Sequence, residues 1–66
     1  MITLKELREE AGLTRAEVAK ALNVTHNAVC NYEKGIRKIN IQQVLILVEI
    51  LDYTAEEIIK AQLNTR

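Results

Sequence analysis

Three threonines, each followed three residues later by a glutamate, divide this sequence into short segments. The pairs are Thr3/Glu6, Thr14/Glu17 and Thr54/Glu57. In such a capping box the threonine oxygen accepts from the glutamate N–H, and the glutamate side chain accepts from the threonine N–H. The chain has no proline and is rich in Ala, Leu, Ile, Glu and Lys, so helix propensity between these pairs is high. An all-α fold built from short helices is predicted.

Residues that favour a left-handed backbone predict where these helices end. Gly12 is expected to stop the first helix, and Asn23 to turn the chain after the second, because asparagine tolerates this conformation better than most residues. Thr25 then caps a third helix that ends at Gly35. A fourth helix begins near Asn40.

The fourth helix is apolar almost all round, which is typical of a central helix packed on several neighbours. In the last helix, Ile58 and Ile59 are expected to point inward. Helices of about eight residues are unstable alone and need a shared core. The sequence therefore predicts one domain over residues 1–66, a compact five-helix bundle.

Composition excludes several classes of protein. Cys30 is the single cysteine, which argues against a secreted disulfide scaffold. No run of eighteen apolar residues occurs, so we expect a cytoplasmic protein with no membrane partner.

The net charge is zero, yet residues 12–40 hold five cations against two carboxylates. A fold that gathers this basic middle on one surface would attract phosphates.

The order of apolar and turn residues carries a family resemblance. The pattern is Leu4-x-x-Leu7-Arg8, Gly12-Leu13-Thr14, Val18-Ala19, Leu22-Asn23-Val24-Thr25, Val29 and Tyr32-Glu33-x-Gly35. Over residues 3–60 the chain closely resembles the Cro and lambda-repressor-like helix-turn-helix family. The resemblance implies a helix-turn-helix formed by helices two and three, with helix three entering the major groove of duplex DNA. Ile39 and Asn23 stand where relatives usually have proline and glycine.

Four residues of the third helix are candidates for base contacts. If Thr25 caps this helix, the side chains away from the core are those of His26, Asn27, Cys30 and Asn31. The resemblance implies that these positions face base edges, and asparagine pairs with adenine through two hydrogen bonds. The alternative interpretation is an ordinary solvated helix surface.

The resemblance also implies phosphate contacts and one structural ion pair. The candidates for phosphate contact are Arg15, Thr25, Lys34, Arg37 and Lys38. Arg15 occupies a position where relatives more often have glutamine. Arg8 and Glu33 match an arginine and a glutamate that pair in the family, and they are expected to fix helix three.

Apolar residues outside the family pattern suggest a partner surface. Ile46 and Ile50, one turn apart on helix four, stand at positions that are often polar in relatives. Together with Ile36, Ile39 and Leu63 they predict an exposed homodimer interface. The alternative is deeper burial within one chain. A two-fold dimer would bind a pseudo-palindromic operator.

The leading interpretation is a sequence-specific transcription regulator, a dimeric repressor. The alternative is a protein-interaction module of the same fold, such as the antitoxin of a toxin–antitoxin pair. No nucleophile–base arrangement or cofactor motif is present, so neither an enzyme nor a cofactor is expected. No metal site is expected either, because no His or Cys partner was identified at ligand spacing.

Overall fold

The computed structural model describes residues 2–65, and these form five α-helices and no strand. The helices are α1 (Leu4–Glu10), α2 (Arg15–Leu22), α3 (His26–Lys34), α4 (Ile41–Leu51) and α5 (Ala55–Asn64). The predicted all-α, five-helix architecture is therefore confirmed.

All three predicted capping boxes are formed. In α2, for example, Thr14 N donates to Glu17 Oε1 at 2.8 Å, while Thr14 Oγ1 accepts from Glu17 N at 3.2 Å. A fourth box, which the sequence analysis missed because it uses amides, joins Asn40 to Gln43 at the start of α4. Each box satisfies backbone donors that the first turn of a helix leaves unpaired.

Left-handed residues follow four of the helices. Gly12 (φ 74°) comes directly after Ala11, the C-cap of α1, as predicted. Asn23 (φ 58°) follows α2 and Gly35 (φ 78°) follows α3, as predicted. Asp52 (φ 59°) follows α4 in the same conformation. These turns allow helices of only 7–11 residues to fold back on one another.

The core lies where all five helices meet. α2 packs on α3, α4 packs on α5, and α1 contacts both α3 and α5. The buried apolar residues are Leu4, Leu7, Val18, Ala19, Leu22, Ala28, Val29, Tyr32, Val44, Leu47, Leu51, Ile58 and Ala61. Within residues 2–65, no helix combines the length and apolarity that a bilayer span requires.

Two expectations for the last helices were wrong. Ile58 is fully buried, but Ile59 is 48% exposed, since neighbouring helical positions point about 100° apart. α4 is not buried all round either. Ile41 and Leu45 are exposed on its outer side, whereas Val44, Leu47 and Leu51 face the core.

Candidate nucleic-acid interface

The segment α2–turn–α3 presents one helix on a rigid support. After the left-handed Asn23, Val24 N donates back to the Ala19 carbonyl at 2.9 Å, which closes the end of α2. Thr25 caps α3 by accepting from Ala28 N at 3.1 Å. The direction of α3 is therefore fixed at its first residue by backbone and cap hydrogen bonds.

One side of α3 is apolar and the other is polar. Ala28, Val29 and Tyr32 are buried against the core. The outward side carries His26, Asn27, Cys30, Asn31 and Lys34, of which Cys30 and Asn31 are half-buried and the others exposed. The four candidate base-contacting residues thus share one surface.

The two asparagine side chains on this surface are available to a partner. Asn27 and Asn31 lie one turn apart, and within residues 2–65 neither amide group makes a hydrogen bond to the chain itself. The backbone of Asn31 is firmly held, because its carbonyl accepts from Ile36 N at 3.0 Å and from Arg37 N at 3.3 Å. Free side chains therefore project from a well-fixed backbone.

His26 and Cys30 contact each other on the same surface. His26 Nδ1 lies 3.7 Å from Cys30 Sγ. The pair was not predicted, although its separation of four residues on a helix, which brings side chains together, was a signal in the sequence. Among residues 2–65, no group of three or more His, Cys, Asp or Glu side chains is arranged to hold a metal ion.

The carboxylate of Glu33 joins α3 to both preceding helices. Its Oε2 accepts from Arg8 Nε at 2.6 Å, and its Oε1 accepts from Arg15 Nε at 2.9 Å. Arg8 also donates to the Leu13 carbonyl at 2.8 Å. The Arg8–Glu33 pair expected from the resemblance is thus present in the structure, with side chains only 11% and 6% exposed.

Arg15 is less free than the phosphate-contact hypothesis assumed. Its side chain is 37% exposed, and its Nε is engaged by Glu33. The hydrogen bond to Glu33, and next the charge of that carboxylate, raise the pKa of Arg15 above its ordinary value. Arg15 is therefore part of the ion-pair network around Glu33 as well as a candidate for phosphate contact.

The other candidate phosphate-contacting cations lie at the end of α3 and in the loop that follows it. Lys34, the last residue of α3, and Arg37 and Lys38 of the loop are all exposed. The Arg37 guanidinium lies 5.8 Å from the centre of the Tyr32 ring, a cation–π distance. The Tyr32 hydroxyl in turn accepts from Gln43 Nε2 at 3.0 Å. The loop is therefore anchored to the core beside the outward side of α3.

The structure locates the exposed apolar residues differently from the sequence analysis. Ile46, Ile50 and Ile39 are half-buried and pack against the core. The strongly exposed residues are Ile36 (69%), Ile41 (76%), Leu45 (60%) and Leu63 (72%). We call these four residues the apolar surface. A signal was present in α4: Gln42 and Glu49 are seven apart and mark the solvent side, on which Leu45 also falls.

Comparison with known proteins agrees with this architecture. A profile of the helix-turn-helix family matches residues 4–58, most of the sequence. The chain therefore belongs to the helix-turn-helix family, as the resemblance to Cro and lambda-repressor-like proteins predicted.

Similar proteins include uncharacterized HTH-type transcriptional regulators of Rickettsia conorii and Rickettsia prowazekii. Each is 37% identical to this chain over 46 residues. The match covers 70% of this chain but 37% and 35% of the two relatives, so the chain spans about a third of their length. No solved structure gives a significant match.

Proposed function

We propose that this protein is a transcription regulator that binds duplex DNA sequence-specifically by placing α3 in the major groove. The observation that carries the proposal is the row of free polar side chains on α3, a helix whose cap and ion pairs hold it rigidly. Bases are read by hydrogen bonds from side chains whose positions are fixed in advance. Such a regulator acts in the cytoplasm, where bacterial DNA lies.

Asn27 and Asn31 are proposed to supply most of the sequence preference. A side-chain amide donates to N7 of adenine and accepts from its N6 amino group, and a contact of this kind discriminates by about 1–3 kcal/mol. Both amides lie on the outward side of α3, one turn apart. His26 and Cys30 complete the surface that faces the bases.

The surrounding cations are proposed to bind phosphates. Lys34, Arg37 and Lys38 are exposed next to α3 and supply charge without sequence information. Thr25 adds its hydroxyl and the first N–H groups of the helix. Arg15 is proposed to bridge Glu33 and a phosphate, since only its Nε is needed for the ion pair.

The protein is proposed to act as a homodimeric repressor that occludes a promoter. A two-fold axis places two α3 helices about 34 Å apart, on the half-sites of a pseudo-palindromic operator. The apolar surface supplies the contact, whereas Ile46 and Ile50 are half-buried and pack against the core. Burial of four exposed aliphatic side chains per chain favours association.

One observation favours a second function, that of an interaction module such as an antitoxin. The exposed Ile36, Ile41, Leu45 and Leu63 present apolar area to a different protein as readily as to a second copy. A module that acts only through its protein partner shows no sequence preference for DNA alone. An antitoxin that also represses its own operon combines both functions, and it is recognised by a stable complex with its protein partner in addition to selective DNA binding.

Selection of bound duplexes from a random pool tests the main proposal. We expect half-sites about 10–10.5 base pairs apart and an affinity that falls steeply with salt. Asn27→Ala combined with Asn31→Ala is expected to abolish the sequence preference, whereas Gln42→Ala, an exposed amide on α4, is the matched control. Unchanged selection by the double variant refutes the base-contact assignment, and indifference to duplex DNA at low salt refutes the function.

A further inference from the structure

The contact between His26 and Cys30 has the dimensions of a metal-binding pair. Zinc–sulfur bonds of about 2.3 Å and zinc–nitrogen bonds of about 2.0–2.1 Å place the two donors of a tetrahedral site about 3.5 Å apart. His26 Nδ1 and Cys30 Sγ are 3.7 Å apart, with both side chains on the outward side of α3. The distance between the two donor atoms is therefore already close to the distance that a tetrahedral site requires, without any change of the backbone.

We propose that His26 and Cys30 form a bidentate site for a thiophilic d¹⁰ cation such as Zn²⁺ or Cd²⁺, and that this cation competes with DNA for α3. A thiolate with an imidazole is a donor set that selects such ions over Mg²⁺ and Ca²⁺, which prefer oxygen ligands. On binding, the thiol proton leaves to solvent as the metal–sulfur bond forms, and His26 Nδ1 supplies its lone pair. Water completes the coordination.

The surroundings of the pair are compatible with an additional positive charge. The Arg15 guanidinium, which lies between α2 and α3, is paired with Glu33 at 2.9 Å, so part of its charge is compensated before a cation arrives. Of the other outward residues of α3, Asn27 and Asn31 are neutral, and the cation Lys34, one turn beyond Cys30, is exposed to solvent, which screens its charge.

The proposed competition between the cation and DNA follows from the position of the two ligands on α3, and it rests on the proposed function. His26 and Cys30 belong to the surface that is proposed to face the bases, so a hydrated cation there occupies the space between α3 and the groove. A ligand that binds only the DNA-free protein lowers the apparent DNA affinity in proportion to 1 + [metal]/Kd. At a free metal concentration of ten times its Kd, the loss is about elevenfold.

The site is tested first without DNA, by titrating the reduced protein with Cd²⁺ and following the thiolate-to-cadmium charge-transfer band in the ultraviolet. His26 and Cys30 are the single histidine and single cysteine of the sequence, so the band reports on this site alone. We expect one ion per chain. Cys30→Ser is expected to abolish the band, and His26→Ala to weaken binding by about tenfold or more, because chelation makes the second bond intramolecular.

Asn27→Ala, a neighbour on the same surface without a soft donor, is the matched control and is expected to bind Cd²⁺ as the wild type does. Far-ultraviolet circular dichroism verifies that each variant is folded. An affinity that His26→Ala leaves unchanged would show that cysteine alone binds the metal and would overturn the site. One ion per two chains would show that the ion is shared between two chains, and would overturn a site formed within one chain.

The competition is tested on the selected duplex with Zn²⁺ and with Cd²⁺. Wild-type affinity is expected to fall in proportion to metal concentration, and that of Cys30→Ser to stay constant. Metal binding that leaves DNA affinity unchanged overturns the competition while preserving the site. Failure of the metal-free protein to bind any duplex counts against the proposed function instead, so the two failures are distinguishable.

Discussion

Glu33 Oε2 accepts a hydrogen bond of 2.6 Å from Arg8 Nε, and this bond fastens the last turn of α3 to α1. The other oxygen of the same carboxylate is shared with Arg15 of α2. Three helices therefore meet at one carboxylate, at the edge of the core. This network and the buried apolar side chains of α3 together hold the helix against the core.

Glu33→Gln is expected to destabilise the protein by about 3–5 kcal/mol, because it leaves the buried Arg8 guanidinium without its counter-charge. The free energy of unfolding from urea denaturation measures this loss. Arg15→Ala is the comparison variant. Its side chain is 37% exposed, so the loss of its ion pair with Glu33 is expected to cost far less than the loss of the buried Arg8–Glu33 pair. Equal losses for the two variants would contradict the assigned role of the Arg8–Glu33 pair.

The turn between α2 and α3 was predictable from sequence because its causes are local. Asn23 tolerates a left-handed backbone, and Thr25 carries the oxygen that caps the next helix. Both conclusions need only a few adjacent residues. The Arg8–Glu33 contact spans 25 positions, and only the family resemblance pointed to it.

Asn23→Gly is expected to raise stability slightly, by up to about 1 kcal/mol, and Asn23→Ala to lower it by about 1 kcal/mol. Glycine adopts the left-handed conformation without a steric cost, whereas alanine pays that cost and lacks the local hydrogen bonding of asparagine. In a domain of this size, 1 kcal/mol shifts Tm by about 4–8 °C, which calorimetry resolves.

Asp52, with φ 59°, is a second left-handed position at which the same two substitutions can be tested. The same order of stability, glycine above the native residue above alanine, is expected there. Alanine variants that melt at the native temperature at both positions would be inconsistent with a left-handed backbone.

The outer side of α4 was mispredicted for a general reason. Nearly every position of the helix is apolar, so periodicity does not distinguish the side that meets α2 and α5 from the side that meets solvent. Ile46 and Ile50 were assigned outward on the basis of relatives, yet they pack against the core. The exposed Ile41 and Leu45 are equally apolar, and the sequence separates the two pairs only through Gln42 and Glu49, the polar residues on the solvent side of α4.

Glu17 is expected to contribute to the decrease in the free energy of unfolding at low pH. Hydrogen bonds from the Thr14 backbone, and next from its side chain, lower the pKa of Glu17 in the folded state. The stabilisation is therefore present above the unfolded-state pKa of about 4.3 and is lost as the pH falls through the folded value. In urea denaturation between pH 7 and pH 2, the free energy of unfolding of Glu17→Gln is expected to fall less steeply with decreasing pH than that of the wild type. An identical pH dependence in both proteins would refute this contribution.

Ile41→Glu combined with Leu45→Glu is expected to give a folded monomer. Both side chains are exposed, so the change costs little packing within the chain but places charge in the proposed dimer interface. Sedimentation equilibrium measures the oligomeric state, and a single-half-site duplex serves as the control for DNA binding. Affinity for the full operator should fall, whereas affinity for the half-site should not.

The contrasting variant, Ile46→Glu with Ile50→Glu, is expected to destabilise the fold itself, because these side chains pack against the core. A dimer that survives Ile41→Glu and Leu45→Glu would show that another face of the protein mediates association.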